Sequence, residues 1–459
     1  MMRAFSLAEA VQWLQPDCHF DGLGNLTFNA VNTDTRGLLP GQLFVALRGE
    51  NFDGHRFLQQ AQEQGASAAV VDRIDAAVNL PQLLVSDTLI ALGQLATAHR
   101  ATSNAVLVAI TGSSGKTTVR EMTGAILQQM GPALITQGNL NNHIGVPLTL
   151  FGLAPQHRFG AIELGASGLD EIAYTVAMVK PQVVILTNAG QAHLEGFGSY
   201  QNIVLAKGEI IDGVADDGLI VLNRDDPAFD QWLARAGRRR VASVSRAGHA
   251  ESDYKAIAGA DGQLQISGPD GWLCNLRLGL EGEHNHSNAA MAAAAVRELG
   301  ATNEHIKTGL EQVLAVKGRL HIQPLAQGWT LIDDSYNANP ASIKAALAVL
   351  AERPSPRIAV LGAMAELGDQ AAQLHYEVAQ YARDLGIERL LAVGPGCEGY
   401  GQGFGVTVEI CASHNQAINA ALKNTQVPAT VLVKGSRSSA MEVVAEGIKD
   451  KVNGTCCSG

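Results

Sequence analysis

The chain has no apolar run approaching the ~20 residues that a bilayer-spanning helix requires, and it has no long low-complexity tract and no internal repeat. Charge is sparse: 17% of residues are charged and 46% are hydrophobic, a balance that excludes disorder for most of the chain. Positive charge is in deficit, with a formal net charge of -11. That argues against nucleic acid or an anionic membrane as a partner, while a small anion held by a few local Lys and Arg stays possible. Cysteine pairs of the C-x-x-C kind are missing. The six cysteines (Cys18, Cys274, Cys397, Cys411, Cys456, Cys457) are scattered, which fits reduced thiols better than a disulfide frame or a zinc site. The last of them fall in "KVNGTCCSG", expected to fray. The opening "MMRAFSLAEAVQWL" reads as an amphipathic helix and not as a secretory leader, so the expected location is the cytoplasm.

At 459 residues the chain is too long for one core, and a prior of roughly 100 to 200 residues per domain suggests about three. Short β-branched runs alternate with Ala-rich helical stretches, the pattern of a largely parallel sheet covered by helices. The expected strands are "AVLVAI" (105–110), "GAIEL" (160–164), "VVILT" (183–187), "LIVLN" (219–223), "WTLID" (329–333), "IAVLG" (358–362), "LLAVG" (390–394) and "TVLVK" (430–434). They suffice for two α/β sheets. One helix should open at Gly115-Lys116 and stop before Gly131-Pro132; another should be capped by Asn339, with Pro340 in its first turn, and stop near Arg353-Pro354. A third is expected over "SNAAMAAAAVREL" (287–299). The expected domains span 1–83, 84–314 and 315–459.

The most informative stretch is "AITGSSGKTT" (109–118). It looks like a phosphate-binding loop of the form G-x-x-x-x-G-K-[ST], except that Ile110 stands where the first glycine belongs. A strand ending at Ile110, a Gly and Ser turn (Gly112, Ser113, Ser114, Gly115) and a helix opening at Lys116-Thr117-Thr118 would aim backbone N–H groups and a helix N-terminus at one point, which favours phosphate. Lys116 would reach the outer phosphates and Thr117 would hold Mg²⁺.

Other polar residues fall just beyond strand ends, where ligands bind in open α/β sheets. Glu163 in "IELGAS" and His193 in "AHLEG" could converge with Lys116 on a second Mg²⁺, although imidazole is softer than that ion prefers. Lys207 in "LAKGEI" reads as the start of a helix and, taken alone, as a solvated lysine. "GNLNNHIGVPLTL" (138–150) places Asn139 and Asn142 ahead of an apolar strand or helix. "EGEHNHSNAA" (281–290) places Asn285 and Asn288 ahead of an Ala-rich helix, where one could simply be its cap. "IDDSYNANP" (332–340) sets Asp333 and Asp334 at a strand end, suited to a ribose hydroxyl or to positioning a cation. "VKGSRSS" (433–439) sets Lys434, Ser436 and Arg437 in the equivalent place, suited to a carboxylate or phosphate.

Taken together these stretches resemble the Mur ligase family, ATP-dependent amide-forming enzymes of peptidoglycan precursor synthesis, over nearly the whole chain. That family's loop has the form T-G-x-x-G-K-T-[ST], which "TGSSGKTT" (111–118) fits without the outer glycine. The resemblance implies Glu163 and His193 as Mg²⁺ ligands with Thr117, Asn285 and Asn288 near adenine, Arg319 of "KGRL" on the ATP phosphates and Asp334 near the ribose. Lys207 matches a lysine that several members carry as a carbamate. "NTDTRGLLPGQLFVALRGENFDGHRF" (32–57), with Thr35 and Arg36, is similar to the module that binds the UDP-sugar end of the substrate. "DDSYNANPAS" (333–342) and "LGAMAELGDQAAQLHYEV" (361–378) are similar to the member that adds D-alanyl-D-alanine to UDP-N-acetylmuramoyl-tripeptide. The D-[ND]-P-R stretch of the diamino-acid-adding member is not found in the C-terminal region.

The implied architecture is α/β in three domains: a small N-terminal UDP-substrate domain, a central mostly parallel P-loop ATPase-like domain and a C-terminal Rossmann-like domain. The implied partners are ATP, Mg²⁺, UDP-N-acetylmuramoyl-tripeptide and D-alanyl-D-alanine, with Asn139, Asn142, Lys434, Ser436 and Arg437 as substrate contacts and a monomer as the default state. A sibling ligase adding a different amino acid, including a folylpolyglutamate-synthase-like one, would share the ATP machinery but not the N-terminal module. A non-catalytic nucleotide switch would need only the loop. Whether diaminopimelate or lysine stands third in the peptide is open.

Overall fold

The computed structural model describes residues 2–15, 25–259, 261–405 and 408–454. Cys18, Cys456 and Cys457 lie outside them; Cys274, Cys397 and Cys411 are free and buried. No helix among the described residues is long and apolar enough to cross a membrane.

Three sheets organise the molecule into an α/β, three-domain architecture. The smallest is a four-stranded parallel sheet ordered Val31–Asn32, Leu43–Val45, Ala68–Val71, Gln82–Leu84; its last strand runs one residue past 83. The central sheet has nine strands. Seven are parallel, in the order Ala133–Ile135, Phe159–Glu163, Val106–Thr111, Val183–Leu186, Leu219–Asn223, Arg240–Ser245, Tyr254–Ala258. Leu264–Ser267 and Leu273–Leu276 extend it antiparallel.

Residue pattern explains this division. "VVIL" is buried at every position, as a strand covered by helices on both faces must be. "LQIS" and "LCNL" alternate buried with less buried positions, as a strand with one wet face does. The third sheet has six strands, ordered His321–Pro324, Trp329–Asp334, Ala429–Lys434, Arg357–Gly362, Arg389–Val393, Val408–Cys411, with only the first pair antiparallel.

All the strands expected from sequence form within about a residue of their expected limits. The helix Lys116–Met130 starts and stops as read. Asn339 caps Pro340–Ala351, its side chain accepting from Ser342 N–H at 2.8 Å. At the N-terminus a two-residue strand, Phe5–Ser6, precedes the helix Leu7–Leu14, and Ser6 closes a capping box with Glu9.

Four readings need correction. The Ala-rich helix begins at Glu283 and not at 287, because Gly282 at φ 93° supplies the turn. Asn285 and Asn288 therefore lie inside it and cap nothing. Lys207 is in the last turn of Tyr200–Gly208, whose cap is Ser199, and is 2% exposed, so it is not a solvated lysine at a helix start. In the tail, Lys451–Gly454 continue the helix Glu442–Gly454, since Val452 is 4% exposed and packs in the core of the third sheet; the rest of the expected fray lies outside the described residues.

Candidate active site

Strand Val106–Thr111 is flanked by Phe159–Glu163 on one side and Val183–Leu186 on the other. Both neighbours come later in the chain, so connections leave in opposite directions and open a crevice at the carboxyl ends. Ile110 is a fully buried member of this strand, and its carbonyl accepts from Leu164 N–H at 2.8 Å. A glycine there would serve no turn, because the loop begins only at Gly112. Gly112 has φ 149° and a Cβ on it would collide with the Thr187 side chain; Gly115, at φ 79°, is the helix cap and lies against Asn288.

Asn188 and Thr187 fix the loop from the next strand. Asn188 Oδ1 accepts from Ser114 N–H at 3.0 Å, and Thr187 Oγ1 donates to Ser114 O at 2.7 Å. Ser113 Oγ donates to Gly190 O at 3.1 Å. Lys116 folds back over the loop and donates to Gly112 O at 2.7 Å. Burial pulls its ammonium below the ordinary lysine range, Glu163 opposes that shift and Arg319 adds to it.

Glu163, 1% exposed, is the hub. Its Oε2 accepts from Thr117 Oγ1 at 2.9 Å and from Arg120 Nη1 at 3.1 Å, and its Oε1 accepts from Asn141 Nδ2 at 2.8 Å. Arg120, 2% exposed, also donates to Gly138 O at 2.9 Å. Asn139 enters this turn through its carbonyl, which accepts from Asn141 N–H at 2.8 Å. Asn142 Oδ1 accepts from Gly145 N–H at 2.8 Å, at the start of the helix Gly145–Leu150 whose cap position is Ile144.

A cleft of about 1150 Å³ runs from this loop to the third sheet. It is lined by Ser113 to Thr118, Asn139, Asn142, Glu163, His193, Asn285, Asn288, Arg319, Asp334, Lys434, Ser436 and Arg437. On its floor Asn288 Nδ2 donates to Asn285 Oδ1 at 2.9 Å. Across it the Arg319 guanidinium stacks on Tyr336, 4.3 Å from the ring centre, and makes no ion pair among the described residues. Asp334 is held by Lys434 at 2.6 Å and by Leu320 N–H at 2.9 Å. Arg437 reaches Glu442 at 2.9 Å. His193, at φ 56°, bonds through Nδ1 to Glu366 of the facing domain. Burial lowers its pKa, and Glu366 works against that.

Lys207 stands behind the wall and not on it. Its ammonium donates to Ala166 O at 3.1 Å and lies 5.0 Å from the Phe197 ring centre. Burial first, and Lys116 second, push its pKa well below the usual lysine value. Gly112 is likewise beneath the surface. Thr35 and Arg36 belong to the first sheet's domain, away from this cleft: Thr35 donates to Gln60 at 2.9 Å and Arg36 is exposed on Asp34 at 2.6 Å.

Sequence reading passed over Arg120, Asn141, Asn188 and Glu366. Arg120 carries no local signal, because its partner Glu163 lies on a separate strand. Among the described residues no three His, Cys, Asp or Glu side chains form a ready-made metal cluster.

Comparison with known proteins covers the same three regions. The Mur ligase family catalytic domain matches residues 27–100, the Mur ligase middle domain 110–296, and the Mur ligase glutamate ligase domain 318–437. UDP-N-acetylmuramoyl-tripeptide--D-alanyl-D-alanine ligase of Escherichia coli K12 is 44% identical over 440 residues, 94% of this chain and 96% of that protein. The crystal structure of MurF from Acinetobacter baumannii superposes with a TM-score of 0.91 at 35% identity, covering 98% of this chain and 99% of that one. MurF ligase from Thermotoga maritima in complex with ADP gives 0.83 at 25% identity, over 93% and 98%.

Two outcomes are expected from these contacts. Arg120→Met leaves a buried carboxylate short of its cation and should cost about 3 kcal/mol in urea unfolding, with much of the loss recovered by adding Glu163→Gln. Lys207 binds a proton less readily folded than unfolded, so its burial costs stability at neutral pH, and that cost fades as pH rises toward the free lysine value of about 10.4. In CO₂-free buffer Lys207→Met should therefore be more stable than the parent at pH ~7 and lose that advantage near pH ~10, read by urea unfolding at each pH.

Proposed function

The chain belongs to the Mur ligase family, and on that premise we propose that it joins D-alanyl-D-alanine to the free carboxylate of UDP-N-acetylmuramoyl-tripeptide. ATP is consumed through an acyl phosphate, and the products are the UDP-linked pentapeptide, ADP and phosphate. One observation carries this choice within the family: the likeness to a relative named for that reaction runs through all three sheets, at 44% identity over 94% of the chain. A sibling that shared only the ATP machinery would lose the match in the first domain. The assignment of 1–83 to the UDP-sugar end, 84–314 to ATP and 315–459 to closure follows from the same reading, as does a cytoplasmic site of action.

The chemistry needs activation, because a carboxylate oxygen is a poor leaving group, and it needs two anions brought together. Lys116 and Arg319 both line the cleft and would offset that repulsion at the outer phosphates. The N–H groups of the helix Lys116–Met130 have no intrahelical partners in its first turn and suit phosphate oxygens. The narrow floor at Asn285 and Asn288 would receive the adenine, and Asp334 the ribose.

The fit for Mg²⁺ rests on oxygen donors: Thr117 Oγ1 and Glu163 Oε2 lie 2.9 Å apart, and such a hard ion takes one or two carboxylates and completes its shell with phosphate and water. Bound there, and near His193, Mg²⁺ would neutralise charge on the transferring phosphoryl group. Arg120 and Asn141 hold the Glu163 carboxylate in position for that task. Lys207 is proposed as a carbamate carrier: burial favours its neutral amine, the form that adds CO₂ with loss of a proton. Closure of the two larger domains would orient the reactants, worth on the order of 7 to 11 kcal/mol, and exclude the water that hydrolyses an acyl phosphate.

A panel of amines, scored for ATP-dependent phosphate release with UDP-N-acetylmuramoyl-tripeptide, tests the assignment: D-alanyl-D-alanine should drive release, and release without any amine, or with glutamate or a diamino acid instead, overturns it. Lys116→Ala should abolish release and ligation while the circular dichroism spectrum is kept. Lys207→Ala should lose activity and regain part of it with added short carboxylic acids; a variant that no acid rescues removes the carbamate.

A further inference from the structure

The segment Gly362 to Leu367 is over-determined for a surface loop. Tyr400, fully buried, donates to Gly362 O at 3.1 Å. Ala363 O accepts from Ser436 N–H at 3.1 Å and from Ser439 Oγ at 3.0 Å. Met364 N–H donates to His375 Nε2 at 2.9 Å, and His375 Nδ1 in turn donates to Ala371 O at 2.6 Å, which fixes the neutral tautomer. Met364 and Leu367 are each 3% exposed, and the two residues between them rise into the cleft.

One of those two is Glu366, held at φ 61°, a conformation that a glutamate adopts only under constraint. Its carbonyl accepts from Glu195 N–H of the central domain at 3.1 Å, and its Oε2 meets His193. Its side chain remains 54% exposed. Oε1 takes no hydrogen bond among the described residues. Three carboxylates of the cleft are tied to cations, Glu163 to Arg120, Glu283 to Arg246 and Asp334 to Lys434, while Glu171 and Asp226, which have no Lys or Arg among the described residues, are tied to backbone N–H groups instead. Glu366 has neither lysine nor arginine, although it stands where His193 also lies in the field of Lys116.

An unneutralised carboxylate, aimed by a strained backbone at the phosphoryl end of the cleft, has the chemistry to receive a cation. The reading under Proposed function requires one there, the ammonium of the incoming dipeptide. Resting on that reading, we propose that Glu366 binds the amino end of D-alanyl-D-alanine through Oε1. An α-ammonium of pKa about 8 arrives largely protonated at neutral pH and is captured by charge. Once that proton has passed to solvent, which reaches the half-exposed Glu366 side chain, the amine donates an N–H to the same oxygen and keeps its lone pair free for the activated carbonyl. The loop 436–439, tied to Ala363, then brings Ser436 and Arg437 to the same side of the cleft as partners for the dipeptide's carboxylate.

Glu366→Gln separates this role from a simple contact between domains, because the amide oxygen still accepts from His193 and only the charge is lost. Steady-state kinetics of this variant should show the KM for D-alanyl-D-alanine raised by at least about tenfold, with the KM values for ATP and UDP-tripeptide within about twofold, and Glu366→Asp should recover part of the loss. Hydroxylamine, a nucleophile mostly uncharged at neutral pH, should be used by Glu366→Gln as well as by the parent. A dipeptide KM unchanged in Glu366→Gln, or all three KM values rising together, overturns the inference. Failure of the parent itself to release phosphate with D-alanyl-D-alanine is a different result, and overturns the function on which the inference rests.

Discussion

The carboxylate of Glu163 is the constraint around which the site is built. A buried anion is tolerated only when it is neutralised and hydrogen-bonded, and here the donors are Thr117, Arg120 and Asn141. Each comes from a different part of the chain relative to the strand Phe159–Glu163: the first turn of the phosphate-loop helix, its second turn, and the Asn-rich turn beyond. Satisfying one charge therefore fixes the approach of helix to sheet and the path of the turn. The oxygen that accepts from Thr117 and Arg120 is also the one proposed to take the cation, so the folding requirement and the proposed chemistry fall on the same few atoms.

A second constraint is the meeting of two sheets at their carboxyl ends. The central sheet contributes Lys116, Glu163 and His193, and the third contributes Arg319, Asp334, Lys434 and Arg437 to the same cleft. The contact of His193 with Glu366, both in left-handed backbone, joins the two halves beside the phosphate loop. This is a conformation that costs energy and is held by the packing around it, and it lies where reactants must be oriented and water kept out.

Much of this was legible before the structure. Short apolar runs such as "VVIL" fit strands covered on both faces, so four strands of each large sheet could be read, while the short or alternating ones, such as Ala133–Ile135, Leu264–Ser267 and Leu273–Leu276, were not expected. G-K-T-T between a strand and a helix identified the loop, and the absent glycine proved to be a residue of the strand itself. What could not be read depended on distant packing. Lys207 is buried against Phe197 and the Ala166 carbonyl, which no local pattern announces. Arg120 looks like any helical arginine until Glu163 is placed beside it. Asn285 and Asn288 imitate helix caps, because asparagine is a favoured cap residue, yet Gly282 makes the turn and inside the helix Asn288 donates to Asn285 Oδ1 while Asn285 donates back to Glu281 O. The two- and three-residue strands of the first sheet are too short for periodicity to show.

The account stands or falls on whether the peptide's carboxylate is phosphorylated in the cleft between the two larger domains. The direct measurement is isotope transfer: UDP-N-acetylmuramoyl-tripeptide carrying heavy oxygen in its terminal carboxylate is turned over with unlabelled ATP and D-alanyl-D-alanine, and the released phosphate is analysed by mass. The account predicts that a labelled oxygen leaves with the phosphate for each amide bond formed. Phosphate that emerges unlabelled while pentapeptide accumulates would contradict it.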